Sequence, residues 1–202
     1  MPATQSNSRR IGYFGGTFDP PHMGHRKIIS SIIRQYEIDQ LWVIPTSINP
    51  LKSNRPILST QSRWDMCKLT FSDMPNLMLS DIEIWNTGNS YTIDALRKIK
   101  NYTNQKIKLF IGSDVFFYID KWKNIQDIIY LADIVVIQRK GESDWSDVDK
   151  ARIGKYNAEL IDLKIPEISS SDIRTKLKGE STKGKIYFKA RKLWIESTNG
   201  LN

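Results

Sequence analysis

Both histidines of the chain lie in one short segment, Gly15 to His25, which follows an apolar run. His22 and His25 are three residues apart, so they share one face if the segment begins a helix. Paired glycines at Gly15 and Gly16 remove side chains where backbone must approach a ligand, and an Asp-Pro-Pro turn then ends the strand. The unpaired amides and positive dipole end of the following helix favour anions. We therefore predict a polyphosphate-binding site.

This segment has two other interpretations. A single histidine in a glycine turn often caps a helix or fills a gap, but two histidines at this spacing favour a ligand. Zinc needs a tetrahedral set of ligands, and here Asp19 is the one carboxylate beside two histidines, with no nearby cysteine. We expect no metal held by protein side chains. Gly24, between the histidines, leaves room for a nucleotide against the first turn.

A second segment, Ile168 to Arg174, contains three consecutive serines and leads into a short helical pattern. Serine-rich starts are common helix caps, so this pattern alone is weak. Arg174 lies one turn along, where its permanent charge can reach the same phosphates as the serine hydroxyls. Together with the histidine segment, it predicts a second phosphate clamp.

Four weaker patterns accompany these two. Gly112 and Asp114 lie at the end of a predicted strand, where α/β nucleotide sites place a carboxylate near a ribose or base. Gly-Ser-Asp is also an ordinary turn. Trp122 lies between charges in a predicted loop, where an indole can stack on a flat ring. Ser90 to Thr92 offers amides and hydroxyls to a small acid group, or Ser90 simply caps a helix. Lys52, after the second strand, reaches phosphates or stays solvated.

Length and composition fit one globular domain. The chain has 202 residues, of which 40% are hydrophobic and 26% charged, and no apolar stretch approaches the roughly 18 residues of a membrane span. We expect residues 1–9 to be a disordered lead-in and residues 10–202 to form the domain. The single cysteine, Cys67, lies in a helical pattern, which predicts a buried thiol and a reducing compartment such as the cytoplasm.

The net charge of +8 raises the question of nucleic-acid binding, for which the lysines and arginines of residues 183–192 would be the footprint. Apolar residues recur there at helical spacing, which instead predicts a docked terminal helix with its lysines facing outward. A basic balance also suits anionic nucleotides. We expect no nucleic-acid or membrane partner, and leave open whether the chain forms a homo-oligomer.

Apolar strand-like runs alternate with helical patterns along the chain. This alternation predicts a doubly wound α/β fold with one parallel sheet and helices on both faces, and such sheets bind ligands at the carboxyl ends of their strands. Apolar stripes along the first helix and along the helix after Thr92 are expected to be core. The predicted strands are Ile11 to Phe14, Leu41 to Ile44, Leu77 to Ile84, Lys108 to Ile111, Ile134 to Ile137 and a weaker Glu159 to Ile161.

Taken together, the Gly15 to His25 and Ile168 to Arg174 segments resemble the two signatures of the nucleotidylyltransferase superfamily in type, order and separation. The segment from Ser90 to Leu96, the Gly112 to Asp114 turn and Trp122 are similar to the bacterial nicotinate-nucleotide adenylyltransferase family. The resemblance implies a Rossmann-like fold. It also implies transfer of AMP from ATP to nicotinate mononucleotide, with deamido-NAD and pyrophosphate as products and Mg²⁺ entering with ATP.

The resemblance also implies roles for individual residues. His22 and His25 would hold the triphosphate and stabilise the transition state, while Arg174 would grip the leaving pyrophosphate with Ser170 and Ser171. Tyr91, Thr92, Trp122 and Lys52 would contact the acceptor, and Asp114 the adenosine. The remaining ATP-binding positions would be Gly15, Gly16, Thr17, Phe18, Gly24, Gly112 and Ile168.

The chain departs from the family pattern at three places. The loop after the second strand reads Asn49-Pro50-Leu51-Lys52 where the family has Pro-Pro-His-Lys, so only the lysine carries over. Ala95 and Ser171 stand where threonines are usual.

Two rival functions remain open on the sequence. One is an adenylyltransferase of the same superfamily that acts on nicotinamide mononucleotide or phosphopantetheine; the other is a non-catalytic nucleotide- or nucleic-acid-binding domain. Trp122 distinguishes pyridine acceptors from pantetheine, which has no flat ring at its reacting end.

Overall fold

The computed structural model describes residues 9–51, 55–139, 145–164 and 169–177, and these form an alternating α/β chain. Two short 3₁₀ turns lie at Lys100–Tyr102 and Ile119–Lys121. The strands are β1 (Ile11–Gly16), β2 (Gln40–Pro45), β3 (Leu77–Leu79), β4 (Ile107–Gly112), β5 (Ala132–Arg139) and β6 (Glu159–Leu163). The helices are α1 (Met23–Gln35), α2 (Thr60–Phe71), α3 (Thr92–Ile99), α4 (Ser113–Phe116), α5 (Ile125–Leu131), α6 (Asp147–Lys155) and α7 (Ser170–Leu177).

The strands form a single six-stranded sheet in the order β3-β2-β1-β4-β5-β6, and every pairing is parallel. The chain winds outward from β1 to β3, then returns to β4 on the other side of β1. This reversal separates the connections that leave β1 and β4, which opens a crevice at their carboxyl ends. The predicted doubly wound parallel fold is confirmed.

Side chains alternate along the strands and feed two cores, one on each face of the sheet. Tyr13 belongs to the core that packs against α3 and α5, and its neighbour Phe14 belongs to the core that packs against α1 and α2. The apolar stripes predicted on the first helix and on the helix after Thr92 supply these cores. Cys67 of α2 is fully buried, as predicted, and this burial raises the pKa of its thiol.

The third strand is shorter than predicted. An extended strand was expected from Leu77 to Ile84, but β3 ends at Leu79 and pairs only with β2, over three residues. One further hydrogen bond joins Ser80 N to Val43 O at 3.0 Å before the chain turns away. Polar residues at Ser80 and Asp81 interrupt the apolar run there. The turn matters because it places the next acid, Glu83, at the carboxyl end of the sheet.

Several expectations fall on residues outside the described ranges. These are the lead-in up to residue 8, Lys52, Ile168 and the basic helix predicted within residues 183–195. Among the helices that the structure describes, none has the length and apolar character needed to cross a membrane.

Candidate functional site

The two histidines lie side by side in the loop after β1, which we call the histidine loop (residues 17–25). β1 ends at Gly16, the chain passes through the Asp-Pro-Pro turn, and α1 begins at Met23 with His22 as its N-cap residue. The imidazole centroids of His22 and His25 are 3.8 Å apart, with the rings tilted by 34°. His22 is only 4% exposed. The predicted juxtaposition of the two rings at a helix start is therefore present.

The orientation of the His25 ring follows from its hydrogen bond. The backbone N–H of His22 donates to Nδ1 of His25 at 3.1 Å. Since Nδ1 acts as an acceptor, the proton of a neutral His25 ring lies on Nε2, which can then donate to an anion. The ring of Phe18 meets His25 edge-on at 5.0 Å and is itself buried in the core. Phe18 thus supports the imidazole with its side chain, and only its backbone is left for the predicted nucleotide contact.

The carboxylate of Asp19 holds the histidine loop in place. Its two oxygens accept hydrogen bonds from the backbone N–H groups of Ile57 and Leu58, each at 2.9 Å. Asp19 is 5% exposed, so these bonds replace the water that a buried carboxylate loses. The side chain therefore ties the loop to the segment that leads into α2.

Helix α7 begins directly against the histidine loop. The Ser170 hydroxyl donates to the carbonyl oxygen of Pro20 at 2.9 Å. Nη1 of Arg174 donates to the carbonyl oxygen of Asp19 at 3.0 Å, and Nη2 donates to Oγ of Ser171 at 2.7 Å. The structure thus brings the two predicted phosphate-binding segments together, although they lie at opposite ends of the described chain.

A cavity of 450 Å³ opens at the carboxyl ends of β1, β2 and β4, where the sheet reverses. Seven predicted residues line it: Gly15, Gly16, Thr17, Tyr91, Thr92, Gly112 and Trp122. Eight others among the described residues lie outside its wall, either in the histidine loop or α7 or, for Asp114, at the start of α4: Phe18, His22, Gly24, His25, Asp114, Ser170, Ser171 and Arg174. The predicted residues therefore form two main groups. The histidine loop and the start of α7 form one, which we call the phosphate-type cluster, and the cavity wall forms the other. The two groups meet where β1 passes into the histidine loop.

Two of the predicted glycines have close neighbours at the cavity. A Cβ atom at Gly15 would lie 2.5 Å from the hydroxyl oxygen of Tyr13, and one at Gly112 would lie 2.5 Å from Oδ1 of Asp114. Real Cβ atoms do not approach so closely, so any side chain at either position would displace its neighbour. Asp114 therefore folds back over the end of β4 beside the cavity.

The start of α3 forms another part of the cavity wall. Tyr91 is the N-cap residue of α3, whereas Ser90 accepts a hydrogen bond at its hydroxyl from Ser47 N at 2.9 Å. Ser90 therefore does not cap the helix, contrary to one of the two interpretations of the sequence. The ammonium of Lys123 lies 4.4 Å from the centroid of the Tyr91 ring. Trp122 packs partly against the core and partly faces the cavity.

Arg63 fixes the loops on both sides of the cavity and was missed in the sequence. Its Nη1 donates to the carbonyl oxygens of Thr17 and Thr46, each at 2.7 Å, and Nη2 donates to that of Ser47 at 3.4 Å. The side chain is 1% exposed, and this burial lowers its pKa while the charge of Asp19 opposes the shift. A single guanidinium thus holds together the chain segments that leave β1 and β2.

Two hydroxyls in the cavity wall have no hydrogen-bond partner among the described residues: those of Thr17 and Thr46. Each follows the end of a central strand. A buried hydroxyl without a partner is unfavourable, so both atoms are well placed for a polar ligand. Thr17 was a predicted ligand residue, whereas nothing in the sequence around Thr46 distinguishes it from an ordinary loop residue.

Glu83 is a further functional candidate that the sequence did not reveal. It lines the cavity at 4% exposure, and neither carboxyl oxygen completes a hydrogen bond of normal geometry within the described chain, although the Ser90 hydroxyl approaches it. Burial raises the pKa of this carboxyl from 4.5 to about 7, and Ser90 opposes part of the shift. Glu83 is therefore an acid that is neutral below about pH 7.

This raised pKa makes stability depend on pH. Between the ordinary pKa of 4.5 and about 7 the folded protein keeps a proton that the unfolded chain loses, so stability falls as pH rises through that window. Glu83→Gln removes the titration. Its stability relative to the parent should improve by on the order of 2–3 kcal/mol between about pH 4 and pH 8, measured by urea unfolding.

The matched control for this experiment is Glu37→Gln, which makes the same chemical change at an exposed ion pair with Arg10. Its relative stability should stay nearly constant over the same range. A pH-independent difference for Glu83→Gln would show that the cavity acid titrates normally.

Comparison with known proteins identifies the class. Residues 13–176 match the family described as cytidylyltransferase-like. A probable nicotinate-nucleotide adenylyltransferase of Bacillus licheniformis is 31% identical over 194 residues, which cover 92% of this chain and 98% of the relative. The nicotinate-nucleotide adenylyltransferase of Bacillus subtilis is 30% identical over 194 residues, covering 96% and 98%. The chain therefore belongs to the nicotinate-nucleotide adenylyltransferase family within this class.

A solved structure shows the same fold. Plasmodium falciparum nicotinic acid mononucleotide adenylyltransferase complexed with NaAD superposes with a TM-score of 0.66 at 23% identity, over 88% of each chain. These comparisons confirm the family resemblance seen in the sequence, and the roles of individual residues remain predictions.

Proposed function

We propose that this chain transfers AMP from ATP to nicotinate mononucleotide, releasing pyrophosphate and forming deamido-NAD. The observation that carries the proposal is the junction of the two clusters: a histidine pair and an arginine clamp beside a 450 Å³ cavity walled by Tyr91, Thr92 and Trp122. The phosphate-type cluster suits the triphosphate of ATP. The aromatic cavity suits a nucleotide with a flat ring.

In this reaction an oxygen of the acceptor phosphate attacks the α-phosphorus of ATP. The bond from the α-phosphorus to the bridging oxygen breaks, and pyrophosphate leaves with the electron pair. No protein nucleophile takes part, so the protein contributes positioning and charge stabilisation. His25 would donate from Nε2 to a phosphate oxygen, and its bond from His22 N fixes the ring for this purpose.

The α7 clamp would hold the leaving group. A guanidinium has five N–H donors, and two N–H groups of Arg174 donate within the described residues, to Asp19 O and Ser171 Oγ. The other donors of the same planar group can reach phosphate oxygens, and the hydroxyls of Ser170 and Ser171 lie in the same helix turn. The clamp would thus stabilise the charge that develops on pyrophosphate.

The cavity would hold the acceptor and part of the nucleoside. Trp122 offers an indole face for the pyridine ring, while the amides at the start of α3, beside Tyr91 and Thr92, favour its acid group. Gly112 would allow ATP to approach the end of β4 closely, and Asp114, which lies there, would contact its adenosine. Gly24, buried in the first turn of α1, leaves space beside the histidines.

Magnesium would enter with ATP. The ion keeps several waters and is commonly held through substrate phosphates, so histidine and arginine donors around those phosphates fit its use. Bound there, it would neutralise part of the triphosphate charge.

The proposal also covers the compartment and the partners of the protein. The single cysteine is buried in α2 as a thiol, which supports a reducing compartment, and we propose the cytoplasm. The proposed partners are small nucleotides rather than nucleic acid or membrane, and a homo-oligomer is compatible with them.

The test is pyrophosphate release from Mg·ATP by the purified protein, with nicotinate mononucleotide, nicotinamide mononucleotide and phosphopantetheine offered in parallel. We expect strong preference for the nicotinate form. Preference for another acceptor would keep the chemistry and change the substrate. Absence of release with all three, under conditions where ATP binding is detected, would instead support a non-catalytic nucleotide-binding domain.

A further inference from the structure

Glu83 has no part in the reaction described above, yet it occupies the wall of the cavity proposed for the acceptor. It is almost fully buried, and neither of its oxygens completes a hydrogen bond within the described chain. A buried carboxyl group that completes no hydrogen bond is unfavourable unless a ligand supplies one. A bound acceptor could therefore complete the hydrogen bonds of Glu83.

The answer depends on the neighbours of Glu83 at the start of α3. The Ser90 hydroxyl, which accepts from Ser47 N, approaches the carboxyl group and precedes the α3 amides by one to three residues. Those amides are the proposed site for the acid group on the pyridine ring. Glu83 and the pyridine substituent would thus lie in the same corner of the cavity.

Few charges around this corner favour an ionised Glu83. From β1 it faces Tyr13, a fully buried phenol whose pKa is raised well above its usual value, so Tyr13 stays neutral. From α3, Asp94 opposes ionisation of Glu83 and Lys98 favours it. The lysines that flank Trp122 also line the cavity, but Lys123 pairs with Asp94 at 3.7 Å. Lys121 approaches the ring of Tyr118 at 5.4 Å.

We propose that Glu83 determines specificity for the substituent on the pyridine ring: protonated, it donates a hydrogen bond to the acceptor's carboxylate, and ionised, it repels that carboxylate. This inference rests on the proposed function and assigns a further specificity residue within the same site. An O–H···O⁻ hydrogen bond is among the strong, short ones, so the neutral carboxyl group favours the acid. An ionised carboxylate can still accept from a carboxamide N–H, so it favours the amide.

The preference for acid over amide should therefore fall as pH rises. The carboxyl of Glu83 loses its proton near pH 7, well above the ordinary value of 4.5 for a glutamate. Both mononucleotides carry the same phosphate, whose second ionisation lies near pH 6, so its effect cancels in their ratio. The ratio of the two kcat/KM values isolates the pyridine substituent.

The experiment measures kcat/KM for nicotinate and nicotinamide mononucleotides from about pH 6 to about pH 8.5, in the parent protein and in Glu83→Gln. In the parent, the acid-to-amide ratio should fall by about tenfold or more across this range. Glutamine donates a hydrogen bond at every pH, so the variant should hold the ratio near its low-pH level. The change should lie in KM for the acid, with kcat little altered.

The matched control is again Glu37→Gln, which should reproduce the falling ratio of the parent. Direct binding of the two mononucleotides to the unliganded protein at both pH limits gives a second readout that does not need turnover. A parent ratio that is constant with pH, or one that falls equally in Glu83→Gln, overturns this inference while leaving the proposed function standing. Absence of turnover with both pyridine nucleotides overturns both.

Discussion

Replacing His25 by asparagine is expected to lower kcat for pyrophosphate release by about 10²–10³-fold, as loss of one donor to a developing anion typically does. The asparagine side-chain oxygen can take the place of Nδ1 and keep the bond from His22 N, which is 3.1 Å long in the parent. It has no donor at the position of Nε2. The variant thus removes the proposed catalytic contact and preserves the start of α1.

Two further substitutions separate chemistry from folding. His25→Gln places an amide donor near the position of Nε2, so it should recover part of the lost rate. His25→Ala removes both nitrogens and should be at least as slow as the asparagine variant, with stability lower by about 1 kcal/mol from the lost cap. Thermal unfolding checks the fold of each. Unchanged turnover in His25→Asn or His25→Ala would sink the proposed site.

Arg174→Ala is expected to reduce kcat/KM for ATP by about 10²-fold, measured with the acceptor saturating. Hydrogen bonds to charged groups contribute about 1.5–3 kcal/mol each, and the variant also loses the bond from Nη1 to Asp19 O. Arg174→Lys keeps the charge but not the planar fork, so it should fall between the parent and the alanine variant.

The controls for Arg174 test each half of the site. Trp122→Ala should raise KM for nicotinate mononucleotide roughly tenfold through lost stacking and leave the kinetics with ATP nearly unchanged. Arg10→Ala removes an exposed arginine at the opposite end of β1, and it should change neither. If Arg174→Ala instead raises KM for the acceptor alone, Arg174 contacts the acceptor, and our assignment of Arg174 to ATP is wrong.

The architecture could be predicted from the sequence because each central strand is a continuous apolar run between helical patterns. The length of β3 shows the limit of this rule. Ser80 and Asp81 interrupt its apolar run, which resumes at Ile82, and the strand ends where its pairing with β2 ends. Pairing is a property of the partner strand and cannot be read from the run alone. The sequence also singled out the two segments that meet in the structure, the histidine loop and the start of α7, because glycine, proline, histidine and serine at fixed spacing have few structural explanations.

Glu83 and Arg63 could not be found in this way. A glutamate two residues after an aspartate resembles an exposed turn, and an arginine within α2 resembles an ordinary helical surface residue. Their burial depends on contacts between distant segments, such as the bonds from Arg63 to Thr17 O and Thr46 O. Ser90 illustrates the same limit, since its hydroxyl accepts from Ser47 N across the loops rather than capping its own helix.

The contact between α7 and the histidine loop also orders events during synthesis. Arg174 and Asp19 are separated by 155 positions, and Ser170 and Pro20 by 150. A ribosome that adds about 5–20 residues per second completes the histidines on the order of ten seconds before it reaches the arginine. Until α7 has been made, the nascent protein therefore carries only the histidine half of the proposed phosphate site. If our assignment of Arg174 holds, the chain gains its full grip on ATP only after the last helix of the described fold has been made.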